Sequence, residues 1–96
     1  MKLQTVIEAL ADPNRRKILE LLKDGEKSVS EIARHFAITG ASLSHHLNKL
    51  KAAELVIAKR QGQSIYYSIH TTVFEDIAKV MADLFSFGGK ENENSH

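Results

Sequence analysis

The chain has 96 residues, of which 43% are apolar and 26% charged, with a net charge of +1 and no cysteine. This length allows one domain with a single small core, and the absence of thiols excludes disulfides, thiolate metal ligands and thiol redox sensing. No apolar run of about 18 residues predicts a transmembrane helix, and the N-terminus lacks a signal-peptide pattern, so we expect a cytoplasmic protein.

The near-zero net charge hides an uneven distribution. Residues 1–70 carry a net charge of +4, and residues 71–96 carry −3. Within 34–63, five basic residues stand against one acid, Glu54. A local excess of positive charge favours a polyanionic partner.

Two helices are predicted at the N-terminus. Apolar residues between Leu3 and Leu10 recur at helical spacing, so a first helix spans roughly 2–11. Asp12-Pro13 ends it and starts the second helix, because Asp is a good N-cap and Pro is tolerated at the first helical position. Gly25 is expected to end the second helix.

Arg15 and Arg16 lie in the first turn of this second helix, where positive charges oppose the helix dipole. We expect them to pair with acids elsewhere in the chain. Contact with DNA phosphates is the alternative.

A short helix and a turn follow. Ser28 and Glu31 have the spacing of a capping box, in which each side chain binds the other residue's backbone amide. Apolar residues as far as Phe36 share one face of this helix. Ile38-Thr39-Gly40 interrupts the pattern, and we expect Gly40 to supply the positive φ of a sharp turn.

The helix after this turn has two different faces. Leu43, Leu47 and Leu50 form a buried stripe. At about 100° per residue, the other side carries no acid and holds Ala41, Ser42, His45, Asn48 and Lys49, with Ser44 on the flank. Short polar side chains suit base edges in a major groove, and two helices joined by a short turn form a helix-turn-helix. A solvated face of an ordinary helical hairpin is the alternative.

A β-hairpin is predicted next. Two runs rich in β-branched and aromatic residues flank the Gly-containing turn 61–63. The hairpin tip holds basic and amide side chains that suit phosphates or the minor groove, as in the wing of a winged helix. Its residues are Lys59, Arg60, Gln61, Gly62 and Gln63. A solvated tip whose basic residues have no function is the alternative.

The last predicted helix spans roughly 72–87. Its apolar stripe is wider than one small domain needs, which together with the apolar first helix indicates burial against a second subunit. The stripe holds Val73, Phe74, Ile77, Ala78, Val80, Met81, Leu84 and Phe85. Gly88-Gly89 is expected to end the helix, so that 1–89 form the DNA-binding and dimerisation domain and 90–96 a disordered polar tail.

Taken in this order, the elements resemble the ArsR family of bacterial winged-helix repressors over about residues 3–87. The similarity rests on ALADPNRRKILELL, SVSEIARHF, SLSHHLNKLKAAELV and KRQGQSIYYSI. Within the family, the chain looks most like the cysteine-free SdpR-type autorepressors, which share DPxRRKIL, SHHLN and the IYYS strand. The resemblance implies a mainly α winged helix-turn-helix with about five helices and a two-stranded wing. It also implies a symmetric dimer, formed by the first and last helices, that binds an inverted repeat in its own promoter.

The resemblance also assigns roles to residues. Ser42, Ser44 and His45 match positions that face DNA, and Asn48 is a further contact. The full predicted DNA-binding set is Ser42, Ser44, His45, Asn48, Lys49, Lys51, Lys59, Arg60, Gln61 and Gln63. The predicted dimer interface is Leu3, Val6, Ile7, Leu10, Ile77, Met81, Leu84 and Phe85.

The chain departs from the metal-sensing members of this family. Some of these carry a Cys pair in the helix before the turn, and others place Asp, His and Glu ligands on the last helix. Here the first of these helices reads VSEIARHFA, and the last offers Glu75, Asp76 and Asp83 but no histidine. Because zinc sites use about four N, S or O ligands in a tetrahedral array, we predict no metal and no cofactor.

The leading prediction is therefore a dimeric transcriptional repressor that binds double-stranded DNA and does not insert into membranes, with a protein antirepressor as a further candidate partner. A winged helix used for protein–protein contact, or an ArsR-type sensor with an unrecognised ligand, is the alternative. A protein-contact module would leave the recognition helix free to carry acids, and this one carries none before Glu54.

Catalysis is not predicted. Ser44 and His45 are consecutive on a helix and do not face each other. The sequence supplies neither a third group to orient the imidazole nor a Gly-rich phosphate loop.

Overall fold

The computed structural model describes the backbone of residues 2–94 and the side chains of residues 2–86. Over this range the chain forms five helices and a three-stranded antiparallel sheet, which confirms the predicted winged helix-turn-helix. The elements in chain order are α1 (Leu3–Leu10), α2 (Pro13–Leu22), β1 (Lys27–Ser28), α3 (Val29–Ala33), α4 (Gly40–Ala52), β2 (Val56–Gln61), β3 (Ser64–Ile69) and α5 (Thr71–Asn94).

Side chains start α2 and α3 as predicted. Asp12 Oδ1 accepts hydrogen bonds from the backbone amides of Asn14 at 2.8 Å and Arg15 at 3.2 Å. Ser28 Oγ accepts from the Glu31 amide at 3.2 Å, and Glu31 Oε1 accepts from the Ser28 amide at 2.9 Å, which completes the capping box. Hydrogen bonding of the Glu31 carboxylate to the Ser28 amide, and after it to the Ser28 side chain, holds the pKa of Glu31 below its ordinary value of 4.5.

The turn between α3 and α4 differs from the prediction. Gly40 is the first residue of α4 and lies outside the positive-φ region. Thr39 closes the turn instead, with an extended backbone and an Oγ1 that accepts from the Ser42 amide at 3.0 Å. Because the extended backbone of Thr39 already starts the helix, the conformational freedom of Gly40 is not needed.

A single core lies beneath the helix-turn-helix. Leu43, Leu47 and Leu50 of α4 are 3%, 1% and 0% exposed, which confirms the predicted stripe. They pack in one cluster with the apolar residues of α1, α2, α3 and the sheet. The core therefore fixes which side of α4 faces solvent.

The sheet has one strand more than predicted. Its order is β1-β3-β2, with Lys27 paired with Tyr67 and Ser28 with Tyr66. A strand of two residues is too short to show a period-2 pattern, so the sequence gives no signal for it. β1 pairs with the central strand β3 and runs directly into α3, so it joins the wing to the start of that helix.

The last helix extends further than predicted. It continues through Gly88 and Gly89 to Asn94, so the expected end at the glycine pair is wrong. A glycine inside a helix costs only about 1 kcal/mol relative to alanine, and extending a formed helix is easier than starting one. The division into 1–89 and 90–96 stays a prediction, and residues 95–96 lie outside the described part.

The long α5 gives the molecule an elongated shape of 56 × 24 × 22 Å. Val73 is buried in the core, whereas Leu84 and Phe85 are 62% and 69% exposed. None of the helices in the described part of the chain is both long and apolar enough to cross a membrane.

Candidate nucleic-acid interface

The outward face of α4 carries the residues predicted to read DNA. Ser44, His45, Asn48 and Lys49 are exposed, and Ser42 is partly exposed. Lys51 is also exposed, and with Lys49 it lies in the last turn of α4, where positive charge favours the helix dipole. The structure therefore presents the predicted α4 residues to solvent.

The wing tip is also accessible. Lys59, Arg60, Gln61 and Gln63 are exposed on either side of Gly62, whose φ of 64° allows the tight turn. Lys59 and Arg60 are neighbours on β2 and therefore point to opposite faces of the hairpin. Arg60 Nε donates to the Gly62 carbonyl at 3.4 Å, a long contact that a phosphate could replace.

The wing tip lies beside the start of the helix-turn-helix. The segment 28–30, which spans the end of β1 and the start of α3, and the segment 63–65 of the wing line one shallow pocket. The residues that line this pocket are three serines, a glutamine and two aliphatic residues, with no acid among them. The Glu31 carboxylate lies next to this pocket, because its Oε1 accepts from the Ser28 amide.

One contact of α4 was not predicted. His46 is 7% exposed, beside the exposed His45, and its Nδ1 lies 3.2 Å from Arg15 Nη1. The sequence carries a signal for its burial, because at about 100° per residue it flanks the leucine stripe. No pattern in the sequence identifies Arg15 as its partner.

The two arginines of α2 have a different role from the one expected. Arg15 donates from Nε to the Ala9 carbonyl at 2.7 Å and from Nη2 to the Glu8 carbonyl at 3.0 Å. Arg16 Nη1 donates to the Leu10 carbonyl at 2.7 Å. The expected pairing with acids is therefore wrong, since both side chains donate to carbonyls at the end of α1, of which that of Glu8 also accepts from the Ala11 amide.

Asp12 lies at the same junction and carries a shifted pKa. Burial alone would raise the pKa of its carboxyl group. The hydrogen bonds from the amides of Arg15 and Asn14, with electrostatic interactions from His46 and Arg15, outweigh burial and hold the pKa below its ordinary value of 3.8. Asp12 Oδ1 is 3.9 Å from His46 Nδ1, so the carboxylate lies beside both side chains.

The predicted dimer residues mostly meet in one place. An apolar groove of about 400 Å³ runs between α1 and α5, which we call the α1–α5 groove. It is lined by Leu3, Val6, Ile7, Leu10, Ala11, Ile77, Met81 and Leu84. Val6 is only 1% exposed and forms its floor, while Phe85 is exposed outside the groove.

The histidines do not converge in the described part of the chain. No three His, Asp or Glu side chains there lie close enough together to hold a metal ion. The His70 ring Nδ1 lies 2.9 Å from the Glu54 carbonyl, and the ring centroids of His45 and His46 are 5.8 Å apart. The absence of a metal site stays a prediction.

A helix-turn-helix with an acid-free outer face, next to a basic wing tip, defines a DNA-binding domain of the winged-helix class. The family described as "Bacterial regulatory protein, arsR family" matches residues 12–58. The chain belongs to this family and is a DNA-binding transcriptional regulator, not an enzyme.

Individual proteins agree with this assignment. The chain is 46% identical to the transcriptional repressor SdpR of Bacillus subtilis over 89 residues, which cover 93% of this chain and 99% of that protein. It is 33% identical to the arsenical resistance operon repressor of Staphylococcus aureus, covering 79% of this chain and 73% of that protein. The solved structure of an ArsR family transcriptional regulator superposes with a TM-score of 0.83 at 28% identity, covering 91% of this chain and 90% of that one.

Proposed function

We propose that the chain is a transcriptional repressor that binds an inverted-repeat operator in its own promoter as a homodimer, without a metal sensor site. The observation that carries the proposal is the outer face of α4, where serine, histidine, asparagine and lysine side chains are exposed and no acid intervenes. Two similar proteins are named repressors, which supports repression over activation.

Dimerisation is supported by the α1–α5 groove. Ile7, Met81 and Leu84 are 58%, 41% and 62% exposed, although they line an almost wholly apolar surface. Contiguous exposed apolar surface of this kind marks an interaction site. A two-fold dimer places its two recognition helices in successive major grooves, about 34–36 Å apart, and therefore reads an inverted repeat.

The roles of the two DNA-facing elements can be separated. We expect Ser44→Ala or His45→Ala to cost about 1–3 kcal/mol on the operator and to relax specificity at one base position. Lys59→Ala/Arg60→Ala should weaken all DNA sequences alike and flatten the log–log salt slope by up to about 4, because a dimer loses four positive charges. The measurement is a salt titration on the footprinted upstream fragment and on mixed-sequence DNA.

Two controls make this test specific. Lys23→Ala/Lys79→Ala removes the same charge at exposed positions outside the proposed interface, and it should leave the slope near the wild-type value. Wild type should have a slope of about −5 to −9 if the dimer covers ~6–10 phosphates. If the wing variant keeps that slope, the wing is not a phosphate contact. If His45→Ala loses operator and mixed DNA equally, α4 is not the reading helix.

A sensor with an unrecognised ligand is the second candidate, because relatives include the repressor of an arsenical resistance operon. The cysteine-free chain offers no thiolate ligands, so we expect added zinc to leave operator affinity unchanged once nonspecific binding is subtracted. Stoichiometric zinc binding that releases the DNA would contradict this, and His70→Ala would then test whether His70 supplies a ligand.

A further inference from the structure

One side chain bridges the junction of α1, α2 and α4. The Arg15 guanidinium contacts the Ala9 and Glu8 carbonyls at the end of α1 and Nδ1 of His46 in the middle of α4. A guanidinium is planar and presents its donors in a fixed fork. Its three contacts therefore fix the end of α1 relative to the recognition helix.

The contact with His46 has a defined polarity. Arginine has only donors, so Nδ1 of His46 must be the acceptor and its ring proton must lie on Nε2. The charged or titratable groups that face this ring are Arg15 from α2, Asp12 at 3.9 Å and the neighbouring His45 on α4. From α1 it is the backbone carbonyls that meet the guanidinium, and the Glu8 carboxylate instead accepts from Gln4 at 3.2 Å.

We propose that Arg15 is a positioning residue that couples α1 to the recognition helix, so that specific DNA binding depends on the end of α1 although α1 does not touch DNA. This rests on the proposed function. His46 lies on α4 immediately after the exposed His45, so a rotation of α4 that breaks the His46 contact also redirects the base-reading face. The wing and its charges lie outside this junction.

Arg16 supplies a matched control. It caps the same end of α1 through the Leu10 carbonyl, and among the described residues it makes no hydrogen bond to α4. Arg15→Gln and Arg16→Gln therefore lose the same charge and their contacts with the end of α1, two for Arg15 and one for Arg16, but only Arg15→Gln loses the link to His46.

The first measurement is the ratio of affinity for the footprinted upstream duplex to affinity for mixed-sequence DNA, with the protein dimeric throughout. We expect Arg15→Gln to lower this ratio about 5- to 150-fold, the usual span of coupling between sites, with mixed-DNA affinity kept. Arg16→Gln should keep the wild-type ratio. Equal losses in the two variants would show that Arg15 only caps α1, and an equal loss on both DNAs would make Arg15 a phosphate contact; either overturns the proposal.

A second variant tests the same contact from the other side. His46→Leu removes the acceptor, so it should lower the ratio as Arg15→Gln does, and the double variant should be no worse than either single one. His46→Gln, whose amide oxygen can accept from Arg15, should restore most of the ratio. Additive losses would overturn the pairing. If Arg15→Gln fails to fold, the two His46 variants still decide: a wild-type ratio in His46→Leu, or a ratio that His46→Gln does not restore, overturns the proposal.

The third measurement reports the coupling itself. Binding of the upstream duplex should slow hydrogen exchange at the α1 amides in wild type and Arg16→Gln, and should not do so in Arg15→Gln. Equal slowing in all three would show that α1 responds by another route, and the coupling would be wrong. A wild type without preference for the upstream duplex would instead contradict the proposed function, which keeps the two failures distinct.

Discussion

At the scale of single residues, a side-chain oxygen caps the start of three of the five helices. These oxygens belong to Asp12, Ser28 and Thr39. The first two are readable from the sequence, because Pro13 and Glu31 follow at the spacing that the motifs require. Thr39 is ambiguous, since the next residue is a glycine and both types occur at helix starts and turns. Only the backbone conformation distinguishes the cap from the first helical residue.

Glu54 stands at the end of a helix, where the sequence would predict a glycine. It has a φ of 61°, a left-handed conformation that glycine usually occupies after a helix. Its amide donates to the Lys51 carbonyl at 2.9 Å, and the Leu55 amide donates to the Leu50 carbonyl at 3.0 Å. These are the two bonds of a Schellman motif at the end of α4, which holds the glutamate in place against the cost of its conformation.

Glu54→Gly should therefore stabilise the fold. Removing the side chain relieves a left-handed penalty of about 1–2 kcal/mol, offset in part by the greater chain entropy of glycine. We expect a net gain of roughly 0.5–1 kcal/mol in the free energy of unfolding, measured by urea denaturation.

Glu54→Ala is the matched control, because it removes the carboxylate but keeps the Cβ that causes the strain. Its free energy of unfolding should stay close to that of wild type. If alanine stabilises as much as glycine, the gain comes from losing the charge and not from the backbone conformation.

At the scale of elements, periodicity predicts what repeats and overlooks what does not. The leucine stripe of α4 and the two long wing strands are confirmed because several residues share each pattern. The two-residue β1 and the passage of α5 through a glycine pair leave no periodic signal. The exposed face of α4 was predictable for the same reason as its buried stripe, since each defines the other.

The arginine contacts of α2 mark the limit of such reasoning. Arg15 has five donors on a long side chain, and carbonyls six and seven residues away satisfy two of them. Nothing in the spacing distinguishes those acceptors from an acid or a phosphate. The link to His46 spans 31 positions and depends on how α1, α2 and α4 pack, which a single sequence does not specify.

At the scale of the whole molecule, α5 continues beyond the surface that it covers. It has 24 residues, or about 36 Å at 1.5 Å per residue, and from Met81 to Ser86 all its described side chains are exposed. Three of them are large and apolar, namely Met81, Leu84 and Phe85. A monomer gains nothing from this exposure, whereas a second copy of α1 and α5 would cover it.

Leu84→Glu should therefore weaken self-association more than it weakens the fold. The side chain is 62% exposed in one subunit and lines the α1–α5 groove, so the fold loses little, but in a dimer two unpaired carboxylates would become buried. If their burial costs about 3 kcal/mol, the dimer dissociation constant should rise roughly 100-fold or more. Sedimentation equilibrium gives this constant, and thermal unfolding at a fixed high concentration checks the fold.

Ser86→Glu adds the same charge about 200° around the helix from Leu84, and it should leave the dimer intact. A wild type that sediments as a folded monomer at micromolar concentration would contradict the dimer, and equal weakening by both variants would contradict the α1–α5 groove as its interface.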